Sequence, residues 1–134
     1  DHKVIITTHT YLFRDGTTFD RDDAYPASKS QGGVNDGDQM WDKFVSKYEN
    51  IFLVMSGHDP WDHIVCTRTE GENGNVVTQL LIDAQNMDSG LKDCTGMVAM
   101  LYFSEDGKTV TVRYYSVTRN QYGSDKSQFT FTVE

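Results

Sequence analysis

The sequence predicts a mixed α/β (α+β) domain, built from packed β-sheet layers with one main helix. Three observations carry this. Val4-Ile5-Ile6-Thr7-Thr8 and Ile51-Phe52-Leu53-Val54-Met55 are continuous β-prone runs, as expected of strands buried on both faces. Between them, Met40, Trp41, Phe44, Val45 and Tyr48 recur at helical spacing. Beyond them, β-prone segments are separated by turn clusters rich in Gly, Asn and Asp.

The elements follow in order. The first strand ends at His9, and residues 10–37 are then polar and rich in Gly and Asp. A connection of that length exceeds the ~12–15 residues usual without internal structure, so it is expected to be either functional or mobile. Asp38 is the expected N-cap of the helix, with Asn50 placed to end it in a left-handed conformation. The second buried strand leads into Ser56-Gly57-His58. Strand, helix, strand in that order is a βαβ unit, which requires the two strands to be parallel.

The second half consists of antiparallel segments. Ile64–Thr69 and Val76–Asp83 flank Gly71-Glu72-Asn73-Gly74-Asn75 and read as a hairpin. Met97–Ser104 and Thr109–Ser116 flank a turn with an Asp106-Gly107 pair, a strong hairpin signal. Phe129, Phe131 and Val133 alternate in a final strand, for one helix and about seven strands in all.

Length and charge bound the function. At 134 residues the chain fits a single domain, 1–134. The formal net charge of −8 argues against nucleic acid as a partner, because phosphate backbones are held by Lys and Arg. It also disfavours anionic substrates unless a bound cation reverses the local field. No apolar run approaches the ~18 residues of a membrane span. Cys66 and Cys94 are either one bridge or buried thiols. A composition rich in Asp, Thr, Ser, Asn and Gly suits an exported bacterial protein, hence an extracellular or cell-surface location. Asp1-His2-Lys3 runs straight into a strand without an initiator Met, so the chain is expected to be cut from a longer one.

Chemistry points to the histidines. His9 and His58 each lie just past the C-terminal end of a buried strand. If those strands are parallel, both emerge at the sheet edge where open α/β folds bind ligands. Adjacent strands are ~4.8 Å apart, so two imidazoles there can reach one metal ion. Trp41 is expected on the helix's apolar face and Trp61 as a loop aromatic over the sheet edge. No Ser or Cys forms a nucleophile–base pair.

The flanking residues add a resemblance. Val4-Ile5-Ile6-Thr7-Thr8-His9-Thr10-Tyr11 resembles the segment of calcineurin-like metallophosphoesterases that ends in a lone metal-binding His. Asn50-Ile51-Phe52-Leu53-Val54-Met55-Ser56-Gly57-His58 is similar to the strand leading into that family's Gly-His-x-His motif. The likeness continues through Gly74–Leu81 and Gly96–Phe103, and so covers most of the chain. It implies the C-terminal half of a four-layer fold in a metal-dependent phosphoesterase acting on phosphate mono- or diesters. Two divalent ions (Mn, Fe, Zn or similar) there activate water for attack on phosphorus.

Carried over by position, His9 and His58 would ligate the second metal. The family's Asp-x-His, Gly-Asp-x-x-Asp and Gly-Asn-His-Glu motifs are not found here. The resemblance therefore implies that an N-terminal half supplies them and that the chain alone is inactive. Surface uncovered by the missing half is expected to give a homodimer or a disordered 10–37 segment. Where the family has x-His after Gly-His, this sequence has Asp59-Pro60. Proline cannot ligate, which leaves Asp59, Asp62 and His63 as candidate substitute ligands. The rival reading is a non-catalytic β-rich accessory or carbohydrate-binding module of a bacterial surface protein.

Overall fold

Residues 2–85 and 96–134 are described by the computed structural model. Two four-stranded sheets form the framework. In the first, strand β1 (Val4–Thr7) pairs in parallel with β2 (Ile51–Ser56). β2 pairs in parallel with β4 (Val76–Leu81), and β4 pairs antiparallel with β3 (Val65–Glu70), giving the order β1-β2-β4-β3. In the second, β6 (Thr109–Ser116) is central. It pairs antiparallel with β5 (Met97–Phe103), with β8 (Phe129–Thr132) and with the two-residue β7 (Gln121–Tyr122).

The near-continuous burial of β2 and β4, which extends even to Thr78 and Gln79, has a direct structural cause. Leu53 and Leu80 face the second sheet and pack with Val110, Val112, Tyr114 and Phe131. Ile51, Val54, Val77 and Leu81 face the other way, onto Tyr11, Leu12 and Val45. Covered on both faces, these strands have no room for polar alternation. β6 is covered on one face only, and its burial alternates residue by residue along the whole strand.

One expectation is refined and one corrected. Residues 10–37 are anchored at their start: Tyr11 and Leu12 are fully buried, Phe19 nearly so, and a short helix α1 (Ala27–Ser30) lies in the more exposed stretch that follows. The Tyr11 hydroxyl donates to Gln79 Oε1 at 2.7 Å, and the Leu12 N–H donates to Ser56 Oγ at 3.3 Å. The segment is therefore the cover of the first sheet.

The main helix, α2, is Gly37–Lys43, shorter than its apolar spacing implied, and its N-cap position is Asp36. Asp38 instead accepts a hydrogen bond from the neighbouring Gln39 N–H at 2.7 Å. A Cβ on Gly37 would lie 2.2 Å from the Tyr11 carbonyl oxygen and 3.0 Å from the Phe19 nitrogen, so the helix begins in main-chain contact with the preceding segment. After Phe44 the chain tightens into a 3-10 turn, Val45–Lys47. The carbonyls that a longer helix would use internally are taken by the β3–β4 turn. Ser46 O accepts from Glu72 N–H and Lys47 O from Asn73 Nδ2, both at 2.8 Å. Phe44 and Tyr48, expected on the buried face, are exposed and meet edge-to-face at 5.4 Å.

Of the two cysteines, Cys66 is a free, exposed thiol on β3, and Cys94 lies outside the described residues. No helix among the described residues is long and apolar enough to cross a membrane.

Candidate functional site

The parallel pairing of β1 and β2 decides where the histidines go. The register sets Thr7 opposite Met55, and the ladder continues past the strand ends, with Gly57 N–H donating to His9 O at 3.0 Å. His58 is therefore one residue beyond the partner of His9. Its backbone turns into the left-handed region, φ 75°, and its ring meets that of His9. His58 Nδ1 and His9 Nε2 are 3.0 Å apart, with ring centroids at 4.8 Å. A β-carbon makes this conformation cost roughly 1–3 kcal/mol, and residues held in it cluster at functional sites.

Hydrogen-bond chemistry fixes the hydrogens of the neutral pair. His58 Nε2 lies 3.0 Å from the main-chain oxygen of Tyr25, which can only accept. His58 Nε2 therefore carries the hydrogen and donates it, leaving Nδ1 bare. His9 Nε2–H then donates to that bare nitrogen. The Phe19 ring closes one side, edge-on to His58 at 5.7 Å, and Phe13 packs against Phe19 at 5.0 Å. His9 is exposed and His58 half-buried, so the pair is open to solvent on its remaining side.

The pair suits a shared ion. Two nitrogens each about 2.0–2.1 Å from one metal stand roughly 2.9–3.4 Å apart at ligand angles between about 90° and 109°. The observed 3.0 Å falls in that range. Among the described residues, no group of three or more His, Cys, Asp or Glu side chains is gathered for a metal. The two histidines therefore stand as a pair, with no third potential ligand gathered beside them among the described residues.

The candidate substitute ligands have other engagements. Asp59 is buried, and Oδ2 accepts from both the main-chain N–H and Nε of Arg14, each at 2.9 Å, while Arg14 Nη2 bonds Oδ1. This carboxylate bond raises the Arg14 guanidinium above its ordinary range. The guanidinium also lies 5.2 Å from the Trp61 ring and 5.4 Å from Phe13. Asp59 thereby ties the residues after His58 to those after His9. Asp62 is hydrogen-bonded to Nδ1 of His63, whose ring is tilted against Trp61 at 6.1 Å. Neither joins the His9–His58 pair.

Sequence reasoning found the two histidines but missed Tyr25 and Arg14. Tyr25 takes part through its main chain, which leaves no side-chain signature. Arg14 and Asp59 are 45 positions apart. The Tyr25-Pro26 dipeptide at the end of an acidic run was the only local signal. No protein-family model matches the chain, and no curated protein or solved structure does either.

Proposed function

We propose that the chain is the C-terminal part of a metal-dependent phosphoesterase hydrolysing phosphate mono- or diesters, in which His9 and His58 are two ligands of one divalent ion. The observation that carries this reading is the approach of two imidazole nitrogens to 3.0 Å at the C-terminal edge of adjacent parallel strands. Imidazole suits Mn, Fe and Zn in such a site. The bound ion would neutralise charge developing on a phosphoryl group and activate water. The protein's own part is to hold two nitrogens convergent, to position His58 through Tyr25 O, and to close one side of the pair with Phe19.

The proposal places the remaining ligands in an N-terminal half. β1 is an edge strand whose Val4 and Thr8 N–H groups point at the β2 side, so those of Ile5 and Thr7 face the open edge. Ile5 is exposed there. An unpaired edge beside a candidate site is suited to accept a further strand of the parent fold.

The test has two arms. The coding region ahead of Asp1 should encode Asp-x-His, Gly-Asp-x-x-Asp and Gly-Asn-His-Glu. The joined protein should hydrolyse p-nitrophenyl phosphate or its bis-ester with added Mn, and His58→Ala should abolish this. The chain alone should show negligible turnover. Absence of those motifs, or turnover by the joined protein that survives His58→Ala, would overturn the reading.

The rival reading draws on the outer face of the second sheet, where Val98, Tyr102 and Tyr122 are exposed and Tyr115 meets Tyr122 edge-to-face at 5.2 Å. A carbohydrate module would bind oligosaccharide through that face, lose it on Tyr102→Ala or Tyr122→Ala, and be indifferent to His58→Ala.

A further inference from the structure

The described residues include three non-glycine residues with positive φ: Tyr25 at 62°, His58 at 75° and Asn120 at 51°. Two of them are bonded to each other, Tyr25 through its carbonyl and His58 through Nε2, at 3.0 Å. Tyr25 is doubly unfavourable where it stands. Its side chain disfavours the left-handed region, and the following Pro26 restricts its residue toward extended conformations. Its own side chain gains little from the arrangement, being 84% exposed. What this backbone conformation delivers is one carbonyl oxygen aimed at one imidazole nitrogen.

The structure of that contact leads us to propose that the main-chain carbonyl of Tyr25 is a positioning group for His58. It holds the hydrogen on Nε2 and so presents Nδ1, the nitrogen facing His9, as a bare donor for a divalent cation. The inference rests on the His9–His58 pair being a ligand pair, and adds the group that orients it. A metal-bound imidazole characteristically donates its other N–H to a carbonyl or carboxylate, and loss of such a partner lowers metal affinity about 10–100-fold. The segment 10–37 thus orients His58 through one peptide group, and Pro26, which is buried, anchors that peptide on its far side.

Two substitutions separate the carbonyl from the side chain. Tyr25→Gly removes the ring but accepts a φ of 62° without strain. Tyr25→Pro fixes φ near −65° and so must turn the carbonyl away. Long-range 1H–15N spectra of the imidazoles report the tautomer directly, and Zn2+ titrated into the full chain reports affinity.

The expected result is a single Nε2–H tautomer at His58, with a slowly exchanging Hε2, in the unsubstituted chain and in Tyr25→Gly. Zn2+ affinity should agree between those two within about threefold. Tyr25→Pro should give mixed tautomers and about 10–100-fold weaker Zn2+ binding. If His58→Ala abolishes Zn2+ binding while Tyr25→Pro behaves like Tyr25→Gly, the positioning role is refuted and the ligand pair stands. If neither His9→Ala nor His58→Ala changes Zn2+ binding, the ligand pair itself fails. Should Tyr25→Pro not fold, the unsubstituted spectrum decides: an Nδ1–H or mixed tautomer at His58 overturns the proposal.

Discussion

Tyr11→Phe isolates one hydrogen bond at the point where the segment after His9 is pinned to the first sheet. Tyr11 is fully buried, its hydroxyl donates to Gln79 Oε1 at 2.7 Å, and Gln79 Nε2 donates onward to Thr69 Oγ1 at 2.8 Å. The substitution keeps the ring, so no large cavity opens. It removes a bond with a net contribution of about 1 kcal/mol and leaves the buried Gln79 oxygen unsatisfied, for about 1–2 kcal/mol more. The expected loss is about 2–3 kcal/mol, a large fraction of the roughly 5–15 kcal/mol stability of such a domain. In urea, with a slope of about 2 kcal/mol/M, the midpoint should fall by about 1–1.5 M.

The alkaline limb gives an independent check. Burial pushes the Tyr11 phenol well above its ordinary range. Its folded-state pKa is therefore raised. The stabilisation it provides is complete below the unfolded value of about 10 and declines as pH rises beyond it, because the unfolded chain then sheds a proton that the folded chain retains. The difference between the unsubstituted chain and Tyr11→Phe should accordingly shrink above about pH 10. Adding Gln79→Leu to Tyr11→Phe should recover part of the loss, since both polar partners are then gone. A Tyr11→Phe chain within 0.5 kcal/mol of the parent (about RT), or a difference that holds steady at high pH, would refute the assignment.

Three further substitutions follow from the same geometry. Gly37→Ala should destabilise by about 1–3 kcal/mol in urea unfolding, because the added carbon meets only main-chain atoms that cannot give way. A gain of about 1 kcal/mol, as for an exposed helix position, would show that this close approach is absent. His58→Gly should be more stable than His58→Ala by about 1 kcal/mol, since glycine accepts the positive φ; equal stability would remove the argument from backbone strain. Asp59→Asn should cost about 1–2 kcal/mol, discounted for the exposure of Arg14, yet leave Zn2+ affinity unchanged. Loss of affinity with stability intact would restore Asp59 as a ligand.

The reach of the sequence depended on how local each cause was. β2 was legible because a strand covered on both faces has no polar alternation, and its parallel pairing with β1 followed from the helix between them. β1 itself is an edge strand of alternating exposure, not the doubly buried strand its apolar run implied. The Asp106-Gly107 turn was legible because the required φ of 69° at Gly107 is a local property. The histidine pair was legible from topology alone, since both residues end neighbouring strands. The length of α2 was not, because its end is set by Glu72 and Asn73 reaching back to Ser46 and Lys47. Nor was the packing of residues 10–37, where Tyr11, Leu12 and Phe19 stand among polar residues without a period.

That packed segment changes the meaning of the histidine pair. Had residues 10–37 been a free loop, His9 and His58 would be two side chains on neighbouring strand ends, able to turn independently. Instead the segment returns to the sheet edge at several places. Tyr11 bonds to β4, Leu12 to Ser56 at the end of β2, Arg14 to Asp59, and Tyr25 to His58. The last three contacts fall on residues 56 to 59, the stretch that carries His58. Each fixes part of the backbone or ring orientation on which convergence of the two nitrogens depends. A bound cation gains affinity from ligands that need not reorganise, because the ordering was done in folding. Weakening Tyr11 or Asp59 should therefore lower global stability first and affect the pair only through it. Moving the Tyr25 carbonyl should act on the pair while leaving the core intact. Stability and Zn2+ affinity, measured side by side on the same variants, separate the scaffold from the site.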